Sequence, residues 1–431
     1  MSEAVTTRQQ ELAGKYRPYP DYKDSGVVWL GEMPSTWVLA KTARYFKIAM
    51  GQTILKEQLE DDGEWPVYSA TEGDHYFGRV NNPQVRLGCG DLVIPARGNS
   101  IGFVKLVKEQ VTTTQTTIYC KHLTQKIYPE YAYYFMVGQK KNLFWFTQTA
   151  IPQITVEEIG SNPILLPSFE EQRAIAAFLD YETARIDRLI AQQQRLIELL
   201  KEKRQAVISH AVTKGLNPYA PMKDSGVEWL GQVPEHWVVT NLKYVFDSLD
   251  YRRIPLSAEQ RGERQGDYPY YGASGVIDGV DDYLFDEECV LVGEDGANLI
   301  MRSTPLAFVV SGKYWVNNHA HILRMHDGLN RYWAAVINNV DIKPIVSGSA
   351  QPKLTAEALG NIKVAFPQDT TEREELLIHI NAETPKFDEL IGHANQQVIL
   401  LKERRSALIS AAVTGKIDLR GWTPPAEEVA A

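Results

Sequence analysis

The histidines His319 and His321, separated by one alanine, are the pair in this sequence best suited to chemistry. On a β-strand alternate side chains point to the same face, so the two imidazoles would be able to share a metal ion. A metal site needs at least a third protein ligand, and none is evident near this pair. The alternatives are a solvated strand end, or polar groups that face a ligand other than a metal.

The glycine-rich stretches lack the residues that nucleotide chemistry requires. Residues 88–90 (GCG) and 293–296 (GEDG) have neither a following Gly-Lys-Ser/Thr nor a third glycine at dinucleotide spacing. An adenine methyltransferase would carry an Asp/Asn-Pro-Pro-aromatic loop, and residues 81–84 (NNPQ) lack the second proline and the aromatic residue. There is no helicase motif set, and a nuclease pattern of Asp and Glu-x-Lys is too loose to decide by inspection.

A group of polar side chains suits the recognition of base edges better than catalysis. Arginine pairs with guanine, and asparagine or glutamine with adenine, through two hydrogen bonds in the major groove. The alternative for each residue is an ordinary solvated loop position. The candidates are Arg97, Asn99 and Gln115 in the first half of the chain, and Asn298, Arg302, Asn317, Asn318 and His319 in the second half.

The charge balance argues against non-specific phosphate binding. The chain has 45 basic and 54 acidic residues, for a net charge of −9. A protein that binds DNA mainly through its phosphates carries a basic surface. We therefore expect any DNA affinity to depend on specific contacts and on partner proteins.

The cysteines and the apolar runs indicate the compartment. Cys89, Cys120 and Cys289 are far apart, without the spacing of a disulfide framework or a zinc site. No apolar run approaches the roughly 20 residues of a membrane span. We expect a reduced, intracellular protein.

The chain is organised around two long helical patterns. Residues 167–215 and 367–415 each begin with a capping residue followed three positions later by glutamate, Ser168 with Glu171 and Asp369 with Glu372. Apolar residues then recur at alternating steps of three and four, which predicts two helices packed along each other as a coiled coil. Pro385 is expected to kink or break the second helix. The predicted seam consists of Ile186, Ile190, Ile197, Leu200 and Val207, and of Phe387, Ile391, Val398, Leu401 and Leu408.

The whole chain is an internal duplication. KEKRQAVISHAVTKG at 201–215 matches KERRSALISAAVTGK at 402–416, and KDSGVVWLG at 23–31 matches KDSGVEWLG at 223–231. We call the second pair of segments the straps, and expect each to pin the start of a globular domain rich in short strands. The predicted domains are an N-terminal arm (1–18), a strap with globule 1 (19–166), a spacer helix (167–215), a strap with globule 2 (216–366), a second spacer helix (367–415) and a tail (416–431), disordered from Trp422 onwards.

In this order, these segments resemble the specificity (S) subunits of type I restriction–modification systems. The resemblance also rests on PYYGASG (269–275), VLVGEDG (290–296), NNHAH (317–321), SAQPKLT (349–355) and PSFEEQR (167–173). The first globule departs most, with TTTQ at 112–115 in place of NNHA at 317–320. Such divergence is expected if the two globules read different sequences.

The resemblance implies an α/β (α+β) fold in which two target-recognition domains are separated by two long antiparallel helices, related by a pseudo-twofold. Each domain would bind one half of a split double-stranded DNA site. The chain would be non-catalytic and would have no cofactor. It would recruit two modification subunits that use S-adenosylmethionine to methylate adenine, and two restriction subunits that use ATP and Mg for translocation and cleavage. The expected DNA contacts then also include Ser100, Gln153, His321, Gln351 and Lys353.

Two other classes of function remain as alternatives. The first is a self-contained enzyme with a metal or acid–base site around His319 and His321. The second is a coiled-coil adaptor that binds no nucleic acid, which would leave two whole globular domains without a role.

Overall fold

The computed structural model describes residues 16–73, 75–144, 153–348 and 352–425. The chain divides into two compact units, Met1–Gln194 with Asn395–Ala431, and Arg195–Ala394. This division cuts through both long helices, so each unit contains one globule and half of each helix. The helices are α1 Pro129–Gly138, α2 Lys140–Leu143, α3 Val156–Ser161, α4 Phe169–Lys214, α5 Ala258–Glu263, α6 Asn298–Met301, α7 Asn330–Asn339, α8 Ala356–Gly360 and α9 Thr370–Val413, with 3-10 turns at Thr42–Arg44, Lys56–Gln58, Leu242–Tyr244 and Asp250–Arg252.

The helices α4 and α9 confirm the two predicted long helices to within a few residues at each end. Arg405 pairs with Asp187 in the first unit (Nε–Oδ1 3.0 Å), and Arg204 with Asp388 in the second (Nε–Oδ1 2.8 Å). Because residue numbers fall on one helix as they rise on the other, the pairing is antiparallel. All ten predicted seam residues are buried or partly buried.

Of the two outcomes predicted for Pro385, a kink or a break in the second helix, the break was wrong. Helix α9 is continuous from Thr370 to Val413 with Pro385 inside it. Leu376 and Ile380 before the proline, and Ala394 and Val398 after it, are all buried. Packing on both sides therefore offsets the lost backbone hydrogen bond, which costs about 3 kcal/mol in an isolated helix.

The predicted capping boxes are only half present. The backbone N–H of Glu171 donates to Ser168 Oγ at 3.3 Å, and the N–H of Thr371 donates to Asp369 Oδ1 at 2.9 Å. The side chain of Glu171, however, accepts from Trp37 Nε1 (3.1 Å) instead of turning back to the cap. Glu372 likewise accepts from Trp237 Nε1 (3.0 Å). In each unit a buried indole N–H uses the carboxylate that the local pattern assigns to the cap.

The first unit contains a four-stranded antiparallel sheet in the order β4-β10-β7-β8 and a three-stranded sheet β6-β5-β9, in which β5 and β9 are parallel. Two-stranded pairs β1-β2 and β3-β11 complete it. The strands are β1 Tyr22–Asp24, β2 Glu32–Pro34, β3 Val38–Lys41, β4 Phe46–Met50, β5 Trp65–Tyr68, β6 Gly78–Val80, β7 Leu92–Pro95, β8 Lys105–Leu106, β9 Thr112–Thr113, β10 Thr117–His122 and β11 Pro163–Leu166.

The second unit repeats this topology. Its antiparallel sheet has the order β15-β22-β19-β20, and its other sheet, β17-β16-β21-β18, again contains one parallel pair, β16 with β21. The strands are β12 Met222–Asp224, β13 Gln232–Pro234, β14 Trp237–Asn241, β15 Phe246–Ser248, β16 Gln265–Gly272, β17 Gly275–Val280, β18 Phe285–Asp286, β19 Cys289–Gly293, β20 Ala307–Val310, β21 Lys313–Val316, β22 Ala320–Met325 and β23 Lys363–Pro367. The mixed fold class and the internal repeat are thus confirmed.

The straps are hairpins, β1-β2 and β12-β13, that close on helix ends. Gly26 and Gly226 donate to the aspartate two residues earlier, each at 2.9 Å. Lys214 Nζ, at the end of α4, donates to Leu230 O in the second strap (3.2 Å), and Lys416 Nζ donates to Glu32 O in the first (3.2 Å). Each strap therefore holds the C-terminal end of a long helix as well as the start of its globule.

The tail is ordered further than the sequence predicts. Ile417 and Leu419 are buried, and Trp422 packs edge-on against Phe178 at 5.3 Å between ring centroids. The expectation of disorder from Trp422 onwards is therefore wrong at its first residue, because an aromatic contact with α4 outweighs the polar composition. Residues 426–431 and most of the predicted arm, 1–15, lie outside the described residues. Within the described ranges, no helix is both long and apolar enough to cross a bilayer.

Candidate nucleic-acid interface

Three polar segments of the second unit meet at the end of strand β19. The backbone N–H of Glu294 donates to His319 O (2.9 Å), and the N–H of Leu354 donates to Glu294 O (2.7 Å). Asp295 forms an antiparallel bridge with Lys353. The turn that carries Asn318 and the segment that carries Lys353 therefore flank the strand end. This brings together residues that are far apart in the sequence.

The same three segments meet in the first unit, at the end of β7. The N–H of Ala96 donates to Thr116 O, and the N–H of Ile154 donates to Ala96 O, both at 3.0 Å. Arg97 forms an antiparallel bridge with Gln153. These bonds make Ala96 the counterpart of Glu294 and Arg97 the counterpart of Asp295. We call the two equivalent surfaces the strand-end sites.

The backbone bonds correct the alignment of the two turns. The N–H of Thr114 donates to Tyr68 O, and the N–H of Asn317 donates to Tyr271 O. Thr114 is therefore the counterpart of Asn317, two residues later than the sequence comparison placed it. Gln115 corresponds to Asn318, and Thr116 to His319.

The predicted DNA-contacting residues fall into two groups. Exposed side chains at or beside the strand-end sites are Arg97, Asn99, Gln153, Asn318, His319 and Lys353. Gln115 is partly exposed and accepts from Ile54 N at 3.2 Å. Gln351 lies outside the described residues. The sequence reasoning missed Asp295, whose only signal was its position two residues after a buried strand, as for Arg97.

The remaining candidates are engaged by the protein itself. Ser100 and Asn317 are buried, which argues against their assignment as base contacts, whereas Asn298 and Arg302 are partly exposed and their assignment stays a prediction. Ser100 is buried and donates to Ala70 O (2.9 Å), and buried Asn317 accepts from His319 N (2.8 Å). Asn298 closes its own loop by accepting from Thr304 N (2.9 Å) and donating to Thr304 O (3.1 Å). Arg302 has a left-handed backbone (φ 50°) and donates to Val340 O (2.9 Å). Burial lowers the pKa of the Arg302 guanidinium.

His321 belongs to a buried ionic network below the second strand-end site. Its Nδ1 lies 2.6 Å from Asp250 Oδ2, and its Nε2 lies 2.8 Å from Leu354 O. Arg253 donates to Glu294 Oε2 at 2.7 Å, and Lys353 Nζ lies 3.1 Å from Glu294 Oε1. The network joins the 3-10 turn after β15, the end of β19 and the segment before α8.

The hydrogen bonds and charges of this network favour the charged form of His321. Burial alone would lower the pKa of His321, but its hydrogen bond to Asp250, its bond to the Leu354 carbonyl and the charges of Asp250 and Glu294 raise that pKa above its ordinary value. Burial opposes ionisation of Asp250 and Glu294 as well. The bond from His321 to Asp250 and the bonds from Arg253 and Lys353 to Glu294 nevertheless lower the pKa of each carboxylate. Both ring nitrogens face acceptors, an arrangement that favours the doubly protonated ring over one with a lone pair free for a metal.

The two histidines do not form a shared site. His319 Nδ1 bonds to Asp295 Oδ2 at 2.7 Å, whereas His321 bonds to Asp250 and is almost fully buried. Across the described residues, no group of three or more His, Cys, Asp or Glu side chains is placed to hold a metal ion. His321 is also too deeply buried to reach a base, which corrects its inclusion among the DNA contacts.

The first unit fills the place of this network with apolar side chains. Ile118 pairs with Ile94 where the second unit pairs His321 with Val292, and Ala96 replaces Glu294. Ile118 and Ala96 are fully buried. The same fold therefore forms with or without the ionic groups, so the fold itself does not require them.

A family model matches both repeats of the chain. Residues 34–199 and 234–378 match the model of the family described as the type I restriction modification DNA specificity domain. The two matches cover more than half of the chain, one in each repeat, so the chain belongs to this family.

Two curated relatives show how far the similarity extends. The type I restriction enzyme MjaVIII specificity subunit of Methanocaldococcus jannaschii is 26% identical over 226 residues, 50% of this chain and 50% of the relative. The type I restriction enzyme EcoprrI specificity subunit of Escherichia coli is 29% identical over 134 residues, 30% of each chain. This chain therefore spans half or less of the length of these relatives.

One solved structure shares the fold. It is titled as the structural basis of complex assembly and conformational transition of the type I R-M system. The TM-score is 0.66 with 13% sequence identity, over 88% of this chain and 98% of that chain. At this identity the likeness shows the fold alone.

Proposed function

We propose that this chain is the DNA-reading specificity subunit of a type I restriction–modification complex. Each unit would read one half of a bipartite double-stranded site. The observation that supports this most is the pair of strand-end sites, where one backbone frame carries Arg97, Gln115 and Gln153 in one unit and Asp295, Asn318 and Lys353 in the other. A duplicated frame with unlike polar side chains is what two independent readers of different sequences require.

The reading chemistry would come from side chains on rigid backbone. Each strand-end site is held by backbone hydrogen bonds among three segments, so the backbone that carries its polar groups is ordered before DNA arrives. An ordered backbone loses little conformational entropy on binding, which favours discrimination between bases. The net charge of −9 gives this chain little general attraction to phosphates, so basic surface from partners would supply that part of the affinity.

Partners would also supply all of the chemistry. Two modification subunits would bind S-adenosylmethionine and methylate adenine in the recognised site. Two restriction subunits would bind ATP and Mg and carry out translocation and cleavage. The exposed basic residues late in the long helices, such as Lys201 and Lys402, are proposed contacts for these subunits.

Methyl transfer from labelled S-adenosylmethionine tests the proposal. The pure chain is expected to transfer no methyl groups, and addition of its modification subunit is expected to give methylation at a single bipartite motif. Sequencing of modified bases in cells with and without the gene would identify that motif. Robust methyl transfer by the pure chain, or an unchanged pattern of modified bases without the gene, would contradict the proposal.

A further inference from the structure

The strand-end sites carry opposite charges at one equivalent backbone position. Arg97 follows Ala96, whose carbonyl accepts from the N–H of Ile154, and Asp295 follows Glu294, whose carbonyl accepts from the N–H of Leu354. Arg97 forms a β-bridge with Gln153, and Asp295 forms one with Lys353. The glycine after each has a positive φ, 76° at Gly98 and 98° at Gly296. The Arg97 and Asp295 side chains therefore leave equivalent backbone positions in the two units.

The surroundings leave Arg97 as an available donor. The Arg97 side chain is exposed, and within the described part of the chain this side chain has no hydrogen bond or ion pair. The neighbouring Ala96 stands where the second unit has Glu294, so that neighbour supplies no carboxylate to neutralise the guanidinium. A free guanidinium on a rigid strand end matches the O6 and N7 acceptors of guanine.

The surroundings leave Asp295 as an available acceptor. Lys353, which forms the backbone bridge with Asp295, has its ammonium on Glu294 at 3.1 Å. His319 donates to Oδ2 of Asp295, and Oδ1 has no hydrogen bond to the described residues. A carboxylate repels the acceptors of guanine and accepts from an exocyclic amino group, such as N4 of cytosine or N6 of adenine.

We propose that these residues make the two half-sites differ in a defined way, an inference that rests on the proposed function. The half-site of the first unit contains a guanine that Arg97 reads. The half-site of the second unit has, at the corresponding position, a base that presents an amino group to Asp295, either cytosine or adenine.

The test uses the complex with its modification subunit and selection from DNA randomised in both half-sites. Arg97→Ala is expected to reduce the preference for guanine at one position of the first half-site by about tenfold or more, and to leave the second half-site unchanged. Arg97→Gln is expected to shift that preference towards adenine. Asp295→Ala is expected to relax one position of the second half-site by a similar factor. Arg44→Ala and Asp267→Asn, exposed residues away from the sites, are the matched controls.

The outcomes separate the two hypotheses. If the wild-type complex and the controls select no bipartite motif, the proposed function itself fails. If they select a motif but Arg97→Ala weakens all sequences equally, Arg97 contacts a phosphate and the inference is overturned while the function stands. The inference is also overturned if guanine is absent from the first half-site, or if Asp295→Ala changes no base preference.

Discussion

Arg204 donates to Asp388 through two atoms, Nε to Oδ1 at 2.8 Å and Nη2 to Oδ2 at 3.3 Å. Its counterpart in the repeat, Arg405, pairs with Asp187, the counterpart of Asp388. The duplication therefore uses one charge pair twice, once in each unit, with donor and acceptor exchanged between the helices. Both pairs are partly exposed, so they serve to set the register of α4 against α9 more than to add stability.

Reversal of the charge at Arg204 tests this register role. Arg204→Asp should lower the free energy of unfolding by about 0.5–1 kcal/mol, since it places two carboxylates face to face. The double variant Arg204→Asp, Asp388→Arg should recover most of that loss. Urea unfolding of the four proteins of the cycle gives the coupling energy. The same reversal at Asp187 and Arg405 is the matched control, and a coupling near zero at both sites would refute a shared register.

Removal of the carboxylate that accepts a hydrogen bond from the indole of Trp37 or Trp237 should destabilise the two units unequally. Glu171 is buried and accepts from both Trp37 and Tyr19, whereas Glu372 is partly exposed. Glu171→Ala leaves two buried donors unsatisfied and should cost about 2–4 kcal/mol, and Glu372→Ala about 1 kcal/mol. Guanidinium unfolding measures both values. Glu171→Gln, which keeps an acceptor oxygen, should lose much less than Glu171→Ala, and equal losses would show that the bond to Trp37 is unimportant.

Gly138 should not tolerate a side chain. An ideal Cβ at this position would lie 2.9 Å from Ile409 Cγ2 and 3.2 Å from Val413 Cγ2, because α1 approaches the end of α9 closely. Gly138→Ala should therefore lower the free energy of unfolding by about 1–3 kcal/mol through overpacking. The exposed helical Gly262, whose Cβ would meet nothing within 4 Å, is the control, and Gly262→Ala should be neutral or slightly stabilising. Equal effects at the two sites would refute the close contact.

The stability of the second unit should fall as the pH rises past neutrality. The pKa of His321 in the folded protein is raised above its ordinary value of 6.5, with Asp250, Glu294, Arg253 and Lys353 around it. A raised pKa means that the stabilisation is complete below about 6.5 and is lost as the pH rises through the folded value. The carboxylates act in the opposite sense, because their lowered pKa values give stability that is lost only in acid.

His321→Gln should remove this pH dependence. The variant should cost about 1–3 kcal/mol at pH 6, since it removes one of the two charged partners of Asp250 and leaves Arg253 as the other. Its urea unfolding free energy should then vary less between pH 6 and 9 than that of the wild type. His326→Gln, an exposed histidine beside Asp247, is the control and should keep the wild-type slope. A variant with an unchanged slope would show that His321 is not the titrating group.

Replacement of residues 37–166 by the equivalent region of a relative should change one half-site only. The strap hairpins and helix ends that frame each globule match between the repeats, while the globule interiors differ. Sequencing of modified bases in cells that carry the chimaera is the measurement. The reciprocal exchange of residues 237–366 is the control and should change the other half-site. If both half-sites changed in either chimaera, the units would not read DNA independently.

The sequence alone determined the elements whose information is local or repeated. The long helices follow from apolar residues at steps of three and four, and the straps follow from turn residues that fix a hairpin within a dozen positions. The duplication is visible because residues that face solvent, such as Lys201 and Lys402, are shared as well as those of the seam. Local propensity misjudged Pro385 and Trp422, where contacts distant in sequence outweighed it.

Only the tertiary structure decided which side chains work together. Trp37 and Glu171 are 134 positions apart, and no local pattern distinguishes a glutamate that caps its helix from one that accepts an indole N–H. The alignment of Arg97 with Asp295 likewise rests on backbone hydrogen bonds between segments 20 to 60 residues apart, because the side chains there have diverged. Backbone pairing is nearly independent of side-chain type, so it preserves an equivalence that the sequence no longer shows.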